Sequence, residues 1–198
     1  MATLLIHTCC APCATYTVEH WRKQRLEVAS LWYNPNIHPY QEHQRRLETL
    51  EFFARAMELS LIKEQGYQMI EYLRGVVGRE AERCTECFRL RLSRTAQKAR
   101  ELGMDAFTTT LLISPYQKHD LLREVGERVA REQKIKFLYE DLRPGYPQSR
   151  EMSRELGLYR QQYCGCLYSE WERFGRVSIV GDLGLEPSMT PDPQKERG

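Results

Sequence analysis

Apolar residues follow two rhythms along this chain: short continuous runs, and longer stretches where they recur every three or four positions. The first rhythm marks strands buried on both faces, and the second marks helices with one inward face. Ala2–His7 and Leu26–Trp32 are runs of the first kind, and Ser60–Lys63, Ala106–Thr110 and Lys136–Tyr139 are shorter strand candidates. Between them the spacing predicts helices over about Ala14–Gln24, Gln41–Met57, Phe88–Leu102 and Lys118–Gln133. In the second of these Leu47, Leu50, Phe53, Ala54 and Met57 share a face. In the third Phe88, Leu92, Ala96, Ala99 and Leu102 turn inward, and Gly103 supplies a C-cap. Tyr67–Arg83 reads as helix interrupted near Gly75 and Gly78. Past Asp141 the pattern becomes short and turn-rich, and Pro187–Gly198 reads as a mobile tail.

Strand–helix alternation of this kind predicts an α/β fold, a parallel sheet flanked by helices on both faces. Residues 1–175 are expected to form one domain and 176–198 a C-terminal tail. In such sheets ligands bind beyond the carboxyl ends of the strands, where strand order reverses. Cys9 and Cys10 follow the first strand, Asn34–His38 the second and Leu111–Lys118 the fourth, so the unusual residues gather on that rim.

Composition changes this picture little. With 41% hydrophobic and 28% charged residues the chain is an ordinary globular one, so disordered and fibrous classes are excluded. No apolar run approaches the roughly 18–20 residues of a membrane helix. Met1–Ile6 is too short and too uncharged for a secretory signal, which makes cytoplasm the expected location. A net charge of +2 neither demands nor excludes nucleic acid.

The cysteines change it a great deal. There are 7, and they fall in three groups: Cys9, Cys10 and Cys13; Cys84 and Cys87; Cys164 and Cys166. An odd count in a chain of this length fits a disulfide scaffold poorly. Thiolates are soft ligands for iron–sulfur clusters or zinc, and a position at a helix N-terminus lowers their pKa. Free cysteines also pack as small apolar side chains, but three within five residues favour ligation. Cys84-Thr-Glu-Cys87 has the two-residue spacing of metal sites and also of dithiol redox motifs. Cys9, Cys10, Cys84 and Cys87 together make four ligands, and the adjacency of the first two favours a cluster over a single small ion. Cys164-Gly165-Cys166 would close a small strained disulfide, which suits a redox-active dithiol, although a further ligand pair or two free thiols fit equally. Cys13 is left to bind a second metal, assist redox chemistry or pack.

Other rim residues offer polar chemistry. Asn34, Asn36 and His38 could hold substrate or metal. Ser114, Tyr116 and Lys118 bring a hydroxyl, a phenol and a cation to a strand end, where a simple helix start is the plainer reading. Arg160 and Gln161, between Tyr159 and Tyr163, mix donors with stacking surfaces of the kind that hold a base or sugar. Arg91, Arg94 and Lys98 recur at helical spacing and read as a solvated face, or as a phosphate-facing stripe if the partner is RNA. No GxGxxG or GxxxxGK[ST] loop is present, so bound NAD or ATP is not expected.

Five motifs carry a resemblance. Leu4-Leu-Ile-His-Thr-Cys-Cys-Ala-Pro-Cys13, Tyr33-Asn-Pro-Asn-Ile-His-Pro39, Arg83-Cys-Thr-Glu-Cys-Phe-Arg-Leu-Arg91, Thr110-Leu-Leu-Ile-Ser-Pro-Tyr116 and Tyr159-Arg-Gln-Gln-Tyr-Cys-Gly-Cys166 resemble the cobalamin-independent epoxyqueuosine reductase family over about residues 2–170. The resemblance implies a five-stranded parallel sheet of the adenine nucleotide alpha-hydrolase, or PP-loop-like (HUP-like), group. It implies a 4Fe-4S cluster on Cys9, Cys10, Cys84 and Cys87, an additional mononuclear iron that Cys13 is placed to bind, and a redox-active Cys164/Cys166 pair. The activity it implies is two-electron deoxygenation of epoxyqueuosine in the tRNA anticodon, with an electron-donor protein or reductant as partner. A zinc-stabilised nucleic-acid-binding module, a thiol–disulfide oxidoreductase working through Cys84–Cys87, and a tRNA sulfur-transfer enzyme are the competing readings. The last would need the ATP loop that is absent.

Overall fold

The computed structural model describes residues 1–175. Five strands form one parallel sheet: β1 (Thr3–His7), β2 (Glu27–Trp32), β3 (Ser60–Lys63), β4 (Ala106–Thr109) and β5 (Lys136–Phe137), in the order β3-β2-β1-β4-β5. All five expected strands are present. The order reverses between β1 and β4, where Leu4–His7 pair with Ala106–Thr109. A ligand-binding crevice is expected beyond that point.

Helices cover both faces. They are α1 (Ala11–Lys23), α2 (Tyr40–Ala56), α3 (Met69–Val76), α4 (Arg83–Glu101), α5 (His119–Gln133), α6 (Tyr146–Glu155) and α7 (Leu167–Gly175). Because side chains alternate along a strand, β1 feeds two cores. Leu5 joins Phe88, Leu92 and Ala96 of α4 and Leu122, Val125 and Val129 of α5. Leu4 and Ile6 join Ala14, Val18 and Trp21 of α1 and Leu50 and Phe53 of α2. Gly126 of α5 lets that helix sit against Phe137: a Cβ there would lie 2.2 Å from the ring.

The structure corrects several sequence expectations. α1 begins at Ala11, so Cys10 is its N-cap and Cys13 lies in its first turn. α4 begins at Arg83 rather than Phe88 and carries Cys84 and Cys87. The break before it falls beyond Val76, while Gly75 is helical and faces Glu86. Leu102 is 49% exposed, because it is the C-cap of α4 and the neighbouring Met104 packs on the core instead. β5 is two residues long, since Leu138 N already turns to Phe107 O at the strand end. α6 and α7 occupy the stretch expected to be turn-rich. The tail expected over 176–198 lies outside the described residues.

Candidate active site

The turn after β1 is built on a buried polar brace. Asn34 donates through Nδ2 to Thr8 O at 2.9 Å, which leaves its Oδ1 to accept from His7 Nε2 at 3.2 Å. The other ring nitrogen of His7 meets Thr109 Oγ1 at 2.9 Å. Burial holds the His7 pKa down at about 3, so the ring is neutral. Asn34 thus locks β1 to the loop after β2, and its amide is committed to the fold.

On that brace the first cysteine group converges. Cys9, Cys10 and Cys13 are buried, and their sulfurs all lie within 4.8 Å of one another. Cys9 and Cys10 sulfurs stand 3.7 Å apart, close to the edge of about 3.8 Å that a tetrahedron with 2.3 Å metal–sulfur bonds requires. Adjacency in sequence therefore does not keep the two sulfurs apart: Cys10 is extended (φ −170°) while Cys13 is helical. Hydrogen bonds from Cys10 and Cys13, and one from Thr110 Oγ1 at 3.3 Å, pull the Cys9 pKa well below the ordinary thiol value. Cys10 is pushed up by burial, and Cys13 by its hydrogen bonds to Cys10 and Cys9. Cys9 is thus the thiol of the three most readily ionised, at the positive end of α1.

The second group faces the third. Cys84 is half-buried against the core that includes Cys9, Cys10 and Cys13, though its sulfur is not one of the three that converge, and Cys87 shares a small buried cluster with Cys166. Burial raises the pKa of both Cys84 and Cys87, and Lys118 and Arg91 respectively oppose it. Arg91 is 1% exposed and donates to Cys87 Sγ at 3.0 Å. It therefore does not belong to the solvated stripe expected from spacing. Arg94 and Lys98 do: both pair with Glu64 and Glu101.

The turn carrying Cys164 and Cys166 is clamped onto the loop after β2. Arg46, 1% exposed and paired with Glu42, donates to Cys164 O at 2.9 Å and Tyr163 O at 3.1 Å. His38 N donates to Gly165 O at 2.7 Å, and Tyr163 OH donates to His38 O. Gly165 has φ +140°, and a Cβ there would press on Ile37, Arg46 and Asn36, so no other residue fits the turn unstrained. Cys164 is exposed and Cys166 buried, and all seven cysteines are free.

The remaining candidates divide. Gln161 donates to Cys10 Sγ at 3.0 Å, while its Oε1 is buried without a partner. Asn36 is 1% exposed with both amide atoms unpaired. His38 Nδ1 lies 2.7 Å from Tyr67 OH, whose proton goes to Ile37 O. Nδ1 therefore carries the ring hydrogen, and the unpaired Nε2 offers a lone pair. Ser114 Oγ accepts from Tyr116 N at 3.3 Å in the turn after Ile113, four residues ahead of the Lys118 N-cap, so it serves the turn and not the helix start. Tyr116 is 50% exposed and edges onto Tyr146, Lys118 caps α5, and Arg160 is exposed. Sequence reasoning missed His7, Arg46, Gln117 (3.4 Å from Cys164 Sγ) and the buried role of Arg91. The signal for Arg91 was its i,i+4 spacing from Cys87, which puts both on one helix face.

Comparison with known proteins agrees with this chemistry. The family model described as epoxyqueuosine reductase QueH matches residues 4–172. The epoxyqueuosine reductase QueH of Dehalococcoides mccartyi is 46% identical over 173 residues, covering 87% of this chain and 95% of that protein. Those of Streptococcus pyogenes (40%; 84% of this chain, 70% of that protein) and Thermotoga maritima (35%; 87% and 93%) are similar along most of their length. With its cysteine motifs inside the matched span, the chain belongs to the epoxyqueuosine reductase QueH family.

Proposed function

We propose that this chain is an epoxyqueuosine reductase that removes the epoxide oxygen of epoxyqueuosine in tRNA, working in the cytoplasm. The observation that carries the reading is the convergence of Cys9, Cys10 and Cys13 after β1, with Gln161 beside the third cysteine group bonded to Cys10 Sγ, on a chain matched to the family over residues 4–172. The donor set fits an iron–sulfur group: the thiols are free, that of Cys9 has its pKa pulled down, and buried Arg91 and Arg46 stand ready to offset negative charge. Cys9, Cys10, Cys84 and Cys87 would hold a 4Fe-4S cluster. The closeness of Cys13 to Cys9 and Cys10 supports an additional mononuclear iron beside it. Such a centre supplies one-electron transfer and Lewis acidity when bound.

The chain's own residues do the rest. Closing a disulfide between Cys164 and Cys166 releases two electrons and two protons. In the substrate both C–O bonds of the epoxide break, a C=C bond forms and the oxygen leaves as water. A thiol or protein reductant then reopens the pair. Asn36, Gln161 Oε1 and His38 Nε2 provide unpaired polar atoms for the modified base and its ring, and His38 accepts rather than donates. Exposed Tyr116, Lys118 and Arg160 suit the anticodon and its phosphates.

The test is iron, sulfide and zinc analysis of protein purified without oxygen, followed by nucleoside analysis of tRNA carrying epoxyqueuosine. Four irons and sulfides per cluster, extra iron, and conversion to queuosine are expected. Stoichiometric zinc without sulfide or turnover would replace this reading with a zinc-stabilised binding module.

A further inference from the structure

α6 is pinned to α1 just where α1 carries Cys13. Gly145, immediately ahead of α6, sits where a Cβ would lie 2.3 Å from the Tyr16 ring, and Ser149 Oγ donates to Pro12 O at 2.6 Å. The first residue of α6, Tyr146, is thereby held half-buried against the core that includes Cys13. Tyr116, in the turn after Ile113, meets that ring edge-on, with centres 6.0 Å apart and planes at 87°. The next residue is Gln117, whose amide reaches Cys164 Sγ. The two rings thus border both the first and the third cysteine group.

Aromatic surface is left open there. Tyr116 is 50% exposed, and an edge-to-face contact occupies at most one face of one ring. Arg150, exposed and one turn along α6, has its Cζ 6.0 Å from the Tyr146 ring centre. Two further cations border the same sulfurs. Lys118 lies within electrostatic reach of Cys84, and exposed Arg160 precedes the Gln161 amide that donates to Cys10 Sγ. Among the described residues none of these three cations pairs with a carboxylate, whereas Arg123 on α5 and Arg143 ahead of α6 both do. Open rings beside uncompensated cations suit a single-stranded nucleic acid, whose bases offer flat faces and whose phosphates offer negative charge. A duplex hides its base faces in its own stack.

We propose that Tyr116 and Tyr146, flanked by Arg150, form a stacking platform for an unpaired base of the tRNA anticodon loop next to the modified nucleoside, with Lys118 and Arg160 taking phosphates. The choice of tRNA rests on the reductase reading, and the platform deepens that reading by adding α6 to the substrate surface. Every base has a flat face, so the platform tolerates any neighbour of the modified nucleoside and selects unpaired loops over duplex. Stacking the neighbour here keeps the loop splayed, which frees the modified nucleoside to enter the cysteine site.

The test uses the full chain and an anticodon stem–loop RNA of unmodified bases, with binding read by fluorescence anisotropy at one salt concentration. Y116A is expected to weaken binding about tenfold, as the loss of one base–aromatic stack does, while Y116W binds like the parent. A duplex of the stem sequence alone should bind Y116A and the parent equally. K118Q and R160Q should each lower the salt dependence by about 0.7 in log–log slope, one phosphate on a single strand. 5-Bromouridine placed in turn on each side of the target position should photocrosslink to Tyr116 or Tyr146, read by peptide mass spectrometry. Stem–loop binding that is absent, or equal in Y116A and the parent, would overturn the platform even in a protein that converts epoxyqueuosine. Weakened binding by Y116A in a protein that never converts epoxyqueuosine tRNA would uphold the platform and sink the reductase reading.

Discussion

The two sides of the cysteine site are charged by different means. Around Cys9, Cys10 and Cys13 no arginine of the described residues hydrogen-bonds a sulfur; the donors are the other thiols, the Thr110 hydroxyl, the Gln161 amide and the first turn of α1. Around Cys87 and Cys164 the donors are a full cation, Arg91, and the Gln117 amide. Dipoles favour an anion among several thiols without adding net charge, whereas a guanidinium brings a full positive charge to one sulfur. Only on the first side does a thiol pKa fall, at Cys9; on the second, burial outweighs Arg91 and Cys87 is pushed up.

Removing a sulfur tests that comparison most severely. Cys9→Ser and Cys10→Ser are each expected to lose the iron and more than about 100-fold of the activity, beyond the cost of losing a supporting partner. Cys13→Ser should keep the sulfide-containing centre and lose only the extra iron. Retention of full iron and sulfide by Cys9→Ser would break the ligand assignment. Next come Cys164→Ser and Cys166→Ser, expected to retain iron and visible absorption while turnover of epoxyqueuosine tRNA is lost. A fully active variant would remove the dithiol from the electron path.

The buried histidines His7, in the polar brace, and His38 and His43, at the loop after β2 and on α2, carry an acid sensitivity. Burial depresses His7 to about 3 and His38 and His43 to about 4, below the unfolded value of 6.5. Their contribution is whole above pH 6.5 and is lost as pH falls toward 4, because the unfolded chain takes up protons that the folded one refuses. The urea midpoint should drop between pH 7 and 5, by at most about 1.4 kcal/mol per unit per histidine, and His43→Leu should flatten the slope. A midpoint flat with pH would show that these rings protonate in place.

Thr110→Val sharpens the contrast with less force. It removes the hydroxyl donor from Cys9 at a cost of about 1–3 kcal/mol and should slow Cys9 alkylation while leaving Cys87 unchanged. Smallest is Arg94→Ala, on the same helix as Arg91 but facing Glu64 and Glu101 near the surface. It should change stability by less than about 1 kcal/mol and leave metal content alone. A large loss of iron in that variant would mean that α4 transmits surface charge to the site.

How much of this was legible in the sequence depended on whether packing was apolar. All five strands announce themselves because β1, β2 and β4 are near-continuous buried runs. α6 does not, since it packs on α1 through hydroxyls: Ser149 Oγ donates to Pro12 O at 2.6 Å and Thr15 reaches Ser149. Its buried residues are Ser149 and Ser153, which leave no hydrophobic period to read. Arg91 misleads for the opposite reason, because an arginine at helical spacing looks solvated unless the cysteine one turn earlier is taken as its partner. The cysteines themselves were legible as three groups. What was not legible is the clamp by which Arg46 and His38 hold the third group, more than a hundred residues away.

That clamp also sets an order of events during synthesis. A nascent chain that has released β5 already owns all five strands, helices α1 to α5 and five of its cysteines. Cys164 and Cys166 emerge last and reach the loop after β2 only when Tyr163 and Gly165 find His38. Until then Cys10 lacks Gln161 and Cys87 lacks Cys166, and both stand open to stray metal ions or oxidants.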